Sequence, residues 1–420
     1  MKGTLIKQHR KFKNMTLEEL ASGICSVSYL SKIEHNTINA SDEIYRLLGQ
    51  RLNIKLTDIN QDFDERIYQD LLEWHEAAQM RDFPLMKKMK EKCRISLEDN
   101  KNILLVNLFN VILVRHEMTM TGNPIPEQTL KELKDIVQDA SSEYRFFFYK
   151  TVGIHYLLQG ELREALRHFR EAKRLMSTLP WKEGEVYYHL ALTYSKTRSY
   201  VESTYYAFLA LEEYKSSLHY SRMVDNYIII AINYNSLGVL EIAEEFLHKV
   251  LKVAKYHLPP VERRRIYHNL GTNYIYQEKY DLAFEYLNKA YEIPTEERDF
   301  ISGTIYLLAL TSYQSGDMDL CKQYIRDGEI ESEKDGLLKF QHKFYILKNR
   351  IHGKTRDDAF IDKLENEIIP DFRRLNEYKD YKEAVEMLAN LYYQKRMYKK
   401  AATYYKEANN YKLTQKADLV

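Results

Sequence analysis

Proline and glycine are scarce in this chain, which has 8 Pro and 14 Gly among its 420 residues. Turn-rich, all-β folds depend on these two residues at tight turns and strand ends. Their scarcity therefore argues against such a fold and favours a helical protein.

The chain also lacks an uninterrupted run of 18 apolar residues, so we expect no transmembrane span and no membrane partner. The first residues, MKGTLIKQHRKFKN, contain no apolar core of a secretory signal. The three cysteines, Cys25, Cys93 and Cys321, are too scattered for a disulfide framework and suit a reducing compartment. Together these absences predict a cytoplasmic protein.

Excess charge of one sign and catalytic motifs are absent too. Lys and Arg number 62 and Asp and Glu 61, so any nucleic-acid binding must rest on a local patch. The sequence contains no GxxxxGK[S/T], HExxH, CxxC or GxSxG pattern. We therefore expect no enzyme activity, no cofactor and no metal site, and we assign packing roles to His155, His168 and His189.

What the chain does contain is a repeat of about 40 residues. Four copies carry a small residue, a Tyr three places later and a second small residue twelve places after the first. In copy order these triplets are Gly153, Tyr156 and Ala165; Ala191, Tyr194 and Ser203; Ala231, Tyr234 and Ala243; Gly271, Tyr274 and Ala283. A later copy has Ala389, Tyr392 and Ala401, whereas residues 335–375 match the pattern poorly.

The pattern is similar to the tetratricopeptide repeat, in which a small residue lets two helices approach and an aromatic ring fills the wedge between them. Single units cannot bury their apolar faces, so the units stack into a solenoid with a concave surface. The alternative interpretation is a tyrosine-rich helical bundle without regular stacking.

The first sixty residues are different. Thr16 and Glu19 form a capping-box pattern, and the segment Ser26–Glu34 reads SVSYLSKIE. Val27, Leu30 and Ile33 are predicted to share the buried face of the second helix. These segments resemble the Xre/Cro type of helix-turn-helix, which places its second helix in the major groove.

The resemblance predicts double-stranded DNA as a partner. Residues 1–60 contain nine Lys and Arg and six Asp and Glu, and nine minus six leaves a local charge of +3. Candidate phosphate and groove contacts are Arg10, Lys11, Ser26, Ser28, Tyr29 and Lys32. The alternative is a module that docks a protein and has lost DNA binding.

The predicted fold class is all-α, with an N-terminal Xre/Cro-type helix-turn-helix domain followed by a tetratricopeptide-repeat superhelical solenoid. We divide the chain into three parts. These are residues 1–61, the helix-turn-helix domain; 62–143, a helical connector with degenerate first repeats; and 144–420, the solenoid.

The inward positions of the first helix in each repeat suggest a peptide-binding groove. Amides can donate to and accept from a peptide backbone at once, and cations can bind a terminal carboxylate. The candidates are Lys150, Tyr188, Asp225, Asn235, Arg265, His268, Asn269, Thr272, Tyr276 and Tyr306.

The combination resembles the Rap–NprR–PlcR–PrgX family of peptide-sensing regulators, with the NprR and PlcR branch nearest. The resemblance implies a cytoplasmic transcription regulator, a short signalling peptide as ligand, and a dimer or higher oligomer whose geometry the peptide changes. It also implies that Asn269 holds the peptide backbone, although the equivalent positions Ile229 and Leu307 are not amides. Two alternatives remain open: a Rap-like solenoid that docks a response regulator, and a DNA-binding repressor that needs no ligand.

Overall fold

The computed structural model describes residues 2–52, 63–100, 102–137, 140–179, 182–257, 260–294 and 298–417. Throughout these ranges the regular secondary structure is helical and no strand forms, which confirms the all-α class. The chain divides into two compact units, residues 1–193 and residues 194–420, and each is described by itself.

Unit 1 begins with a small helical module that has its own core. Its helices are α1 (Lys2–Phe12), α2 (Leu17–Ala21), α3 (Val27–Glu34) and α4 (Asp42–Leu52). The predicted capping box starts α2, because the Thr16 side chain accepts from the Glu19 amide and Glu19 accepts from the Thr16 amide. The core residues are Ile6, Leu20, Ala21, Leu30, Ile33, Tyr45, Leu48 and Leu52.

Longer helices form the rest of unit 1. They are α5 (Glu65–Met80), α6 (Phe83–Asp99), α7 (Ile103–Thr121), α8 (Glu127–Val137), α9 (Ser142–Leu158), α10 (Leu162–Met176) and α11 (Gly184–Lys196), whose last turn passes the unit boundary. Asp64, Asp82, Asn102 and Ser141 cap the N-termini of α5, α6, α7 and α9 through their side-chain oxygens. The proposed limit at residue 61 lies outside the described residues, and the proposed limit at 143 falls in the first turn of α9.

In the described part of the chain, α7 is the one helix long and apolar enough to cross a membrane. It packs against α5, α6 and α9 inside unit 1. It also buries polar groups that have protein partners. The Trp74 Nε1–H donates to His116 Nδ1 at 3.1 Å, and Arg115 pairs with Glu185 at 2.6 Å. These contacts are those of a core helix.

Unit 2 is a row of helical hairpins. After the end of α11 its helices are α12 (Tyr200–Ser216), α13 (Tyr220–Ser236), α14 (Leu240–His257), α15 (Pro260–Tyr276), α16 (Tyr280–Tyr291), α17 (Arg298–Ser315), α18 (Met318–Lys334), α19 (Leu338–Ile351), α20 (Asp358–Lys363), α21 (Ile369–Arg374), α22 (Tyr378–Gln394) and α23 (Tyr398–Ala417). The first helices of the hairpins form one layer, because α13 contacts α15, α15 contacts α17, and α17 contacts α19. This layer carries the inward face of the predicted groove, which we call the inner face of unit 2.

The small residues of the repeat allow close helix packing, and its tyrosines pack between the helices, as the pattern predicts. A Cβ at Gly271 would lie 2.5 Å from Leu287 Cγ, so glycine permits the close approach of α15 and α16. The wedge tyrosines stack on a ring twelve residues later. Ring centroids lie 5.6 Å apart for Tyr194 and Tyr206, and 5.8 Å apart for Tyr234 and Phe246.

The poorly matched stretch has an irregular helix. Between α20 and α21 the segment Leu364–Ile368 is π-helical, and Pro370 follows in the first turn of α21. Proline has no amide hydrogen for the carbonyl four residues before it, so the helix widens there. This irregularity accounts for the loss of the repeat columns around α20 and α21.

Candidate functional site

Helix α3 presents a polar face outside the core of the N-terminal module. Leu30 and Ile33 are fully buried, whereas Ser28 and Lys32 are exposed and Tyr29 is half-buried. The ammonium of Lys32 has no hydrogen-bond or ion-pair partner among the described residues. Lys11, at the end of α1, is exposed as well.

Arg10 is not available for the phosphate contact that the sequence suggested. Its Nε and NH2 groups donate to Glu34 at 2.7 and 2.8 Å, and its NH1 donates to the Met15 carbonyl at 2.9 Å. Glu34 is buried, so this bidentate pair ties α1 to the end of α3. Arg10 therefore positions α3 within the module.

Ser26 has a structural role, and one further expectation for α3 needs correction. Ser26 is the N-cap, and its hydroxyl oxygen accepts from the Tyr29 amide at 3.2 Å. Its hydroxyl proton and second lone pair are not used by that bond, so the predicted DNA contact of Ser26 stays a prediction. Val27 does not join Leu30 and Ile33 in the core: its side chain is 40% exposed. Val27 is the first residue of α3, and its side chain lies outside the core that Leu30 and Ile33 join.

Lys150 is also a correction, because it is fully buried in unit 1. Its ammonium pairs with Glu183 and with Glu185, the latter at 3.0 Å, and it donates to His75 Nε2 at 2.7 Å. A buried ammonium with two carboxylate partners cannot bind a peptide terminus at the surface.

The surroundings of Lys150 form a closed ionic cluster. Burial raises the pKa of the Glu185 carboxyl, but the Arg115 guanidinium and the Lys150 ammonium outweigh it and hold the pKa well below the ordinary value. Burial and the Lys150 charge lower the pKa of His75, which suits its role as an acceptor. Tyr188 is buried elsewhere in unit 1, with its ring 5.1 Å from that of His189.

Two groups of side chains within the described residues have the donor set of a metal site. In the first, His75, Glu183 and Glu185 surround the Lys150 ammonium, which already supplies a positive charge. In the second, His342 Nε2 lies 2.8 Å from Asp371 Oδ2, near Glu367. Asp371 also binds Arg374 at 2.6 Å, so its carboxylate already has a cationic partner.

The inner face of unit 2 brings several predicted residues together. Arg265 on α15 pairs with Asp225 on α13 at 2.6 Å. Asp225 in turn binds Arg222 at 3.1 Å, and Glu262 lies 3.5 Å from Arg265. Asp225 is almost wholly buried and lies between the guanidinium groups of Arg222 and Arg265.

His268, Asn269 and Thr272 lie along α15. His268 Nδ1 lies 3.0 Å from Thr304 Oγ1, and burial, with the nearby Arg264 charge, lowers the pKa of His268 to about 4. Asn269 and Thr272 donate to carbonyls one turn earlier in their own helix. The Oδ1 atom of Asn269 has no partner among the described residues and remains a possible acceptor.

Asn235 has a structural partner. Asn273 Nδ2 donates to Asn235 Oδ1 at 2.7 Å and to the Leu240 carbonyl at 2.8 Å. Asn273 is fully buried, so this amide joins two consecutive hairpins. The Asn235 oxygen is therefore used in joining repeats.

Tyr276 and Tyr306 each lie beside a lysine that the repeat pattern does not indicate. Lys343 Nζ lies 4.4 Å from the Tyr306 ring centroid and 2.8 Å from Asp380 Oδ1. Lys379 Nζ lies 3.0 Å from Tyr276 Oη. Lys343 lies on α19, within the stretch 335–375 where the repeat columns fail, and Lys379 lies on α22 just after that stretch, so the repeat pattern indicated neither lysine.

Comparisons with known proteins agree with this architecture. Residues 6–59 match the helix-turn-helix family, and residues 224–296 match the tetratricopeptide repeat. The transcriptional activator NprA of Geobacillus stearothermophilus is 26% identical over 399 residues, which are 92% of this chain and 97% of that protein.

Solved structures share the fold. A Rap protein complexed with competence and sporulation factor gives a TM-score of 0.70 at 20% identity, covering 84% of this chain and 99% of that chain. The apo form of the quorum sensor NprR from B. thuringiensis gives 0.67 at 19% identity, covering 83% and 99%.

The chain therefore combines a helix-turn-helix module with a tetratricopeptide-repeat solenoid, and it is similar over nearly its full length to a transcriptional activator. The predicted resemblance to the Rap–NprR–PlcR–PrgX family is confirmed by these likenesses.

Proposed function

We propose that this protein is a cytoplasmic transcription regulator that binds promoter DNA through α3 and a short signalling peptide on the inner face of unit 2. The peptide binds one arrangement of the protein better than another, and this difference changes oligomer geometry and DNA affinity. The observation that carries the proposal is the pairing of a helix-turn-helix module with a repeat solenoid in one chain related to a transcriptional activator.

DNA binding is supported by the surface that α3 leaves free. Ser28 and Lys32 are exposed there, and Lys11 adds a second cation at the end of α1. Cations supply most of the affinity for phosphates, while hydroxyl and apolar groups on the second helix distinguish bases. Two such modules in a homodimer would read two half-sites about one helical turn, or a multiple, apart.

Peptide binding is supported by the mixed chemistry of the inner face. The free Asn269 oxygen can accept from a peptide amide, and the Tyr276 and Tyr306 rings can form the walls of apolar pockets. Lys379 stands beside the Tyr276 ring and can bind a peptide carboxylate, whereas Asp380 already binds the Lys343 ammonium. Lys150 and Tyr188 leave the proposed site because both are buried. Asn235 can contact a peptide only through its Nδ2 hydrogens, because its oxygen accepts from Asn273.

The DNA test is selection of duplexes from a random pool by the full-length protein, followed by titration of the selected duplex. Lys32→Ala should lower its affinity about tenfold and reduce the salt dependence of binding by about one phosphate contact. Lys399→Ala removes the same charge from exposed α23 and is the control. Equal affinities of wild type and Lys32→Ala would remove α3 from the interface.

The peptide test measures molecular mass in solution with and without short hydrophobic peptides encoded by the small reading frame beside the gene. A peptide-dependent change in oligomeric state is expected, together with weaker peptide binding by Asn269→Ala in calorimetry. Asn288→Ala, on the exposed face of α16, is the matched control. Unchanged affinity in Asn269→Ala would exclude that residue from the site.

A second candidate function is the docking of a response regulator. The observation that favours it is the shared fold with a Rap protein over 84% of the chain. A pull-down against purified response regulators tests it directly. A fixed dimer that binds DNA but neither peptide nor response regulator would instead indicate a repressor without a ligand.

A further inference from the structure

Val27 is an exposed apolar residue at the point where a helix-turn-helix module meets base edges. It is the first residue of α3 and 40% exposed, while the other branched residues of the helix, Leu30 and Ile33, are fully buried. Its neighbours on the free face, Ser28 and Lys32, are polar and exposed. Packing within the module therefore does not account for a branched apolar side chain here.

The hydroxyl group that precedes Val27 is held against the start of α3. Ser26 Oγ already accepts from the Tyr29 amide, as the N-cap of α3. The first turn of α3 thus offers the Val27 methyl groups and the Ser28 hydroxyl to whatever lies against it. In helix-turn-helix proteins, the N-terminal residues of the second helix contact the base edges.

Only one base edge in the major groove carries an apolar group, the 5-methyl of thymine. A valine can neither donate nor accept, so it gains nothing from the amino, carbonyl or N7 positions of the other edges. We infer that Val27 packs on the 5-methyl group of one thymine in each DNA half-site and sets the base preference there. The inference rests on the proposed DNA binding and adds the chemistry of one recognised base.

The test replaces each thymine of the duplex selected by the full-length protein with uracil, one position at a time. Uracil keeps every hydrogen-bonding group and removes only the methyl. One thymine per half-site should be sensitive, with about a fourfold loss of affinity for each methyl that loses its apolar contact.

Val27→Ala should bind the thymine and uracil duplexes equally, since its shorter side chain no longer reaches the methyl. Alanine at an exposed helix position preserves folding. Val27→Ile retains branched methyls and should keep the thymine preference, and Val201→Ala, exposed on α12, is the control.

Three results overturn the inference in distinguishable ways. A wild-type protein that selects no duplex removes both the inference and the proposed DNA binding. Wild-type binding that is insensitive to uracil at every position removes the inference alone. A methyl preference that persists in Val27→Ala assigns the contact to another residue and also overturns it.

Discussion

Lys379 Nζ lies 3.0 Å from Tyr276 Oη, although 103 residues separate the two. The lysine stands in the first turn of α22 and the tyrosine at the last residue of α15, so the inner face of unit 2 curves until these helices meet. A second bond, from Arg198 NH2 to the Tyr378 carbonyl at 3.4 Å, joins the start of α22 to an earlier turn. The beginning of α22 is therefore held from two sides.

Breaking the tyrosine–lysine contact should loosen α22 without unfolding unit 2. Tyr276 is 45% exposed, so the coupling free energy should be below about 1 kcal/mol. Lys379→Met should raise amide hydrogen exchange in the first turn of α22, as measured by mass spectrometry. Lys382→Met breaks a pair within the same helix and serves as the control. Equal exchange in the two variants would show that the contact does not hold α22.

Loss of the Lys150 charge should destabilise unit 1 strongly. Lys150→Met leaves Glu183 and Glu185 buried with one fewer cation, at an expected cost of about 3–5 kcal/mol. Trp74 is fully buried in unit 1, so unfolding by urea can be followed there through tryptophan fluorescence.

Two variants complete that experiment. Adding Glu183→Gln to Lys150→Met removes one unpaired carboxylate and should restore part of the lost stability. Lys249→Met disrupts an exposed pair in unit 2 and should change stability by less than about 1 kcal/mol. A Lys150→Met protein as stable as the wild type would contradict the ionic role of the cluster.

Acidification should destabilise the protein between pH 6.5 and about 4. Burial lowers the pKa of both His268 and His9 from 6.5 to about 4, with Arg264 and Lys13 contributing respectively. In this window the unfolded chain takes up protons that the folded state does not, so unfolding is favoured as pH falls. The melting temperature of His268→Gln should fall less between pH 7.5 and 5 than that of the wild type. His352→Gln, at an exposed position, should follow the wild type.

The close approach of α15 and α16 should fail when a side chain is added at Gly271. Gly271→Ala places a Cβ 2.5 Å from Leu287 Cγ and should cost about 1–3 kcal/mol. The double variant Gly271→Ala with Leu287→Ala removes the clashing atom, so the two substitutions should be markedly non-additive. Thermal unfolding followed by circular dichroism measures the stability of the single and double variants. Additive stability losses would show that the close approach of α15 and α16 does not depend on glycine at position 271.

The repeat could be recognised in the sequence because its spacing repeats the same local geometry. The sequence holds one further column: a ring that contacts the wedge tyrosine stands twelve places after it, as in Tyr206, Phe246 and Tyr286. The buried Asn233 and Asn273 likewise stand one place before their tyrosines. Because these signals are periodic, a search for more columns could have found them.

The candidate site was less predictable, because the partner of a charged side chain is set by distant parts of the chain. Lys150 and Arg10 have the composition of ligand-binding cations, yet carboxylates 33 and 24 residues away bind them. Lys343 and Lys379 have no periodic signature, and only the curvature of unit 2 brings Lys379 beside Tyr276.

The sequence by itself determined the helical class, the helix-turn-helix module and the repeated helical hairpins. The signals for them are capping residues, the spacing of small residues and the aromatic columns, and each of these acts within one or two helices. Tertiary structure alone decided which polar groups remain free. Burial makes an unpaired charge costly, so the fold pairs Lys150 and Arg10 internally and leaves Lys32 and the oxygen of Asn269 for other molecules.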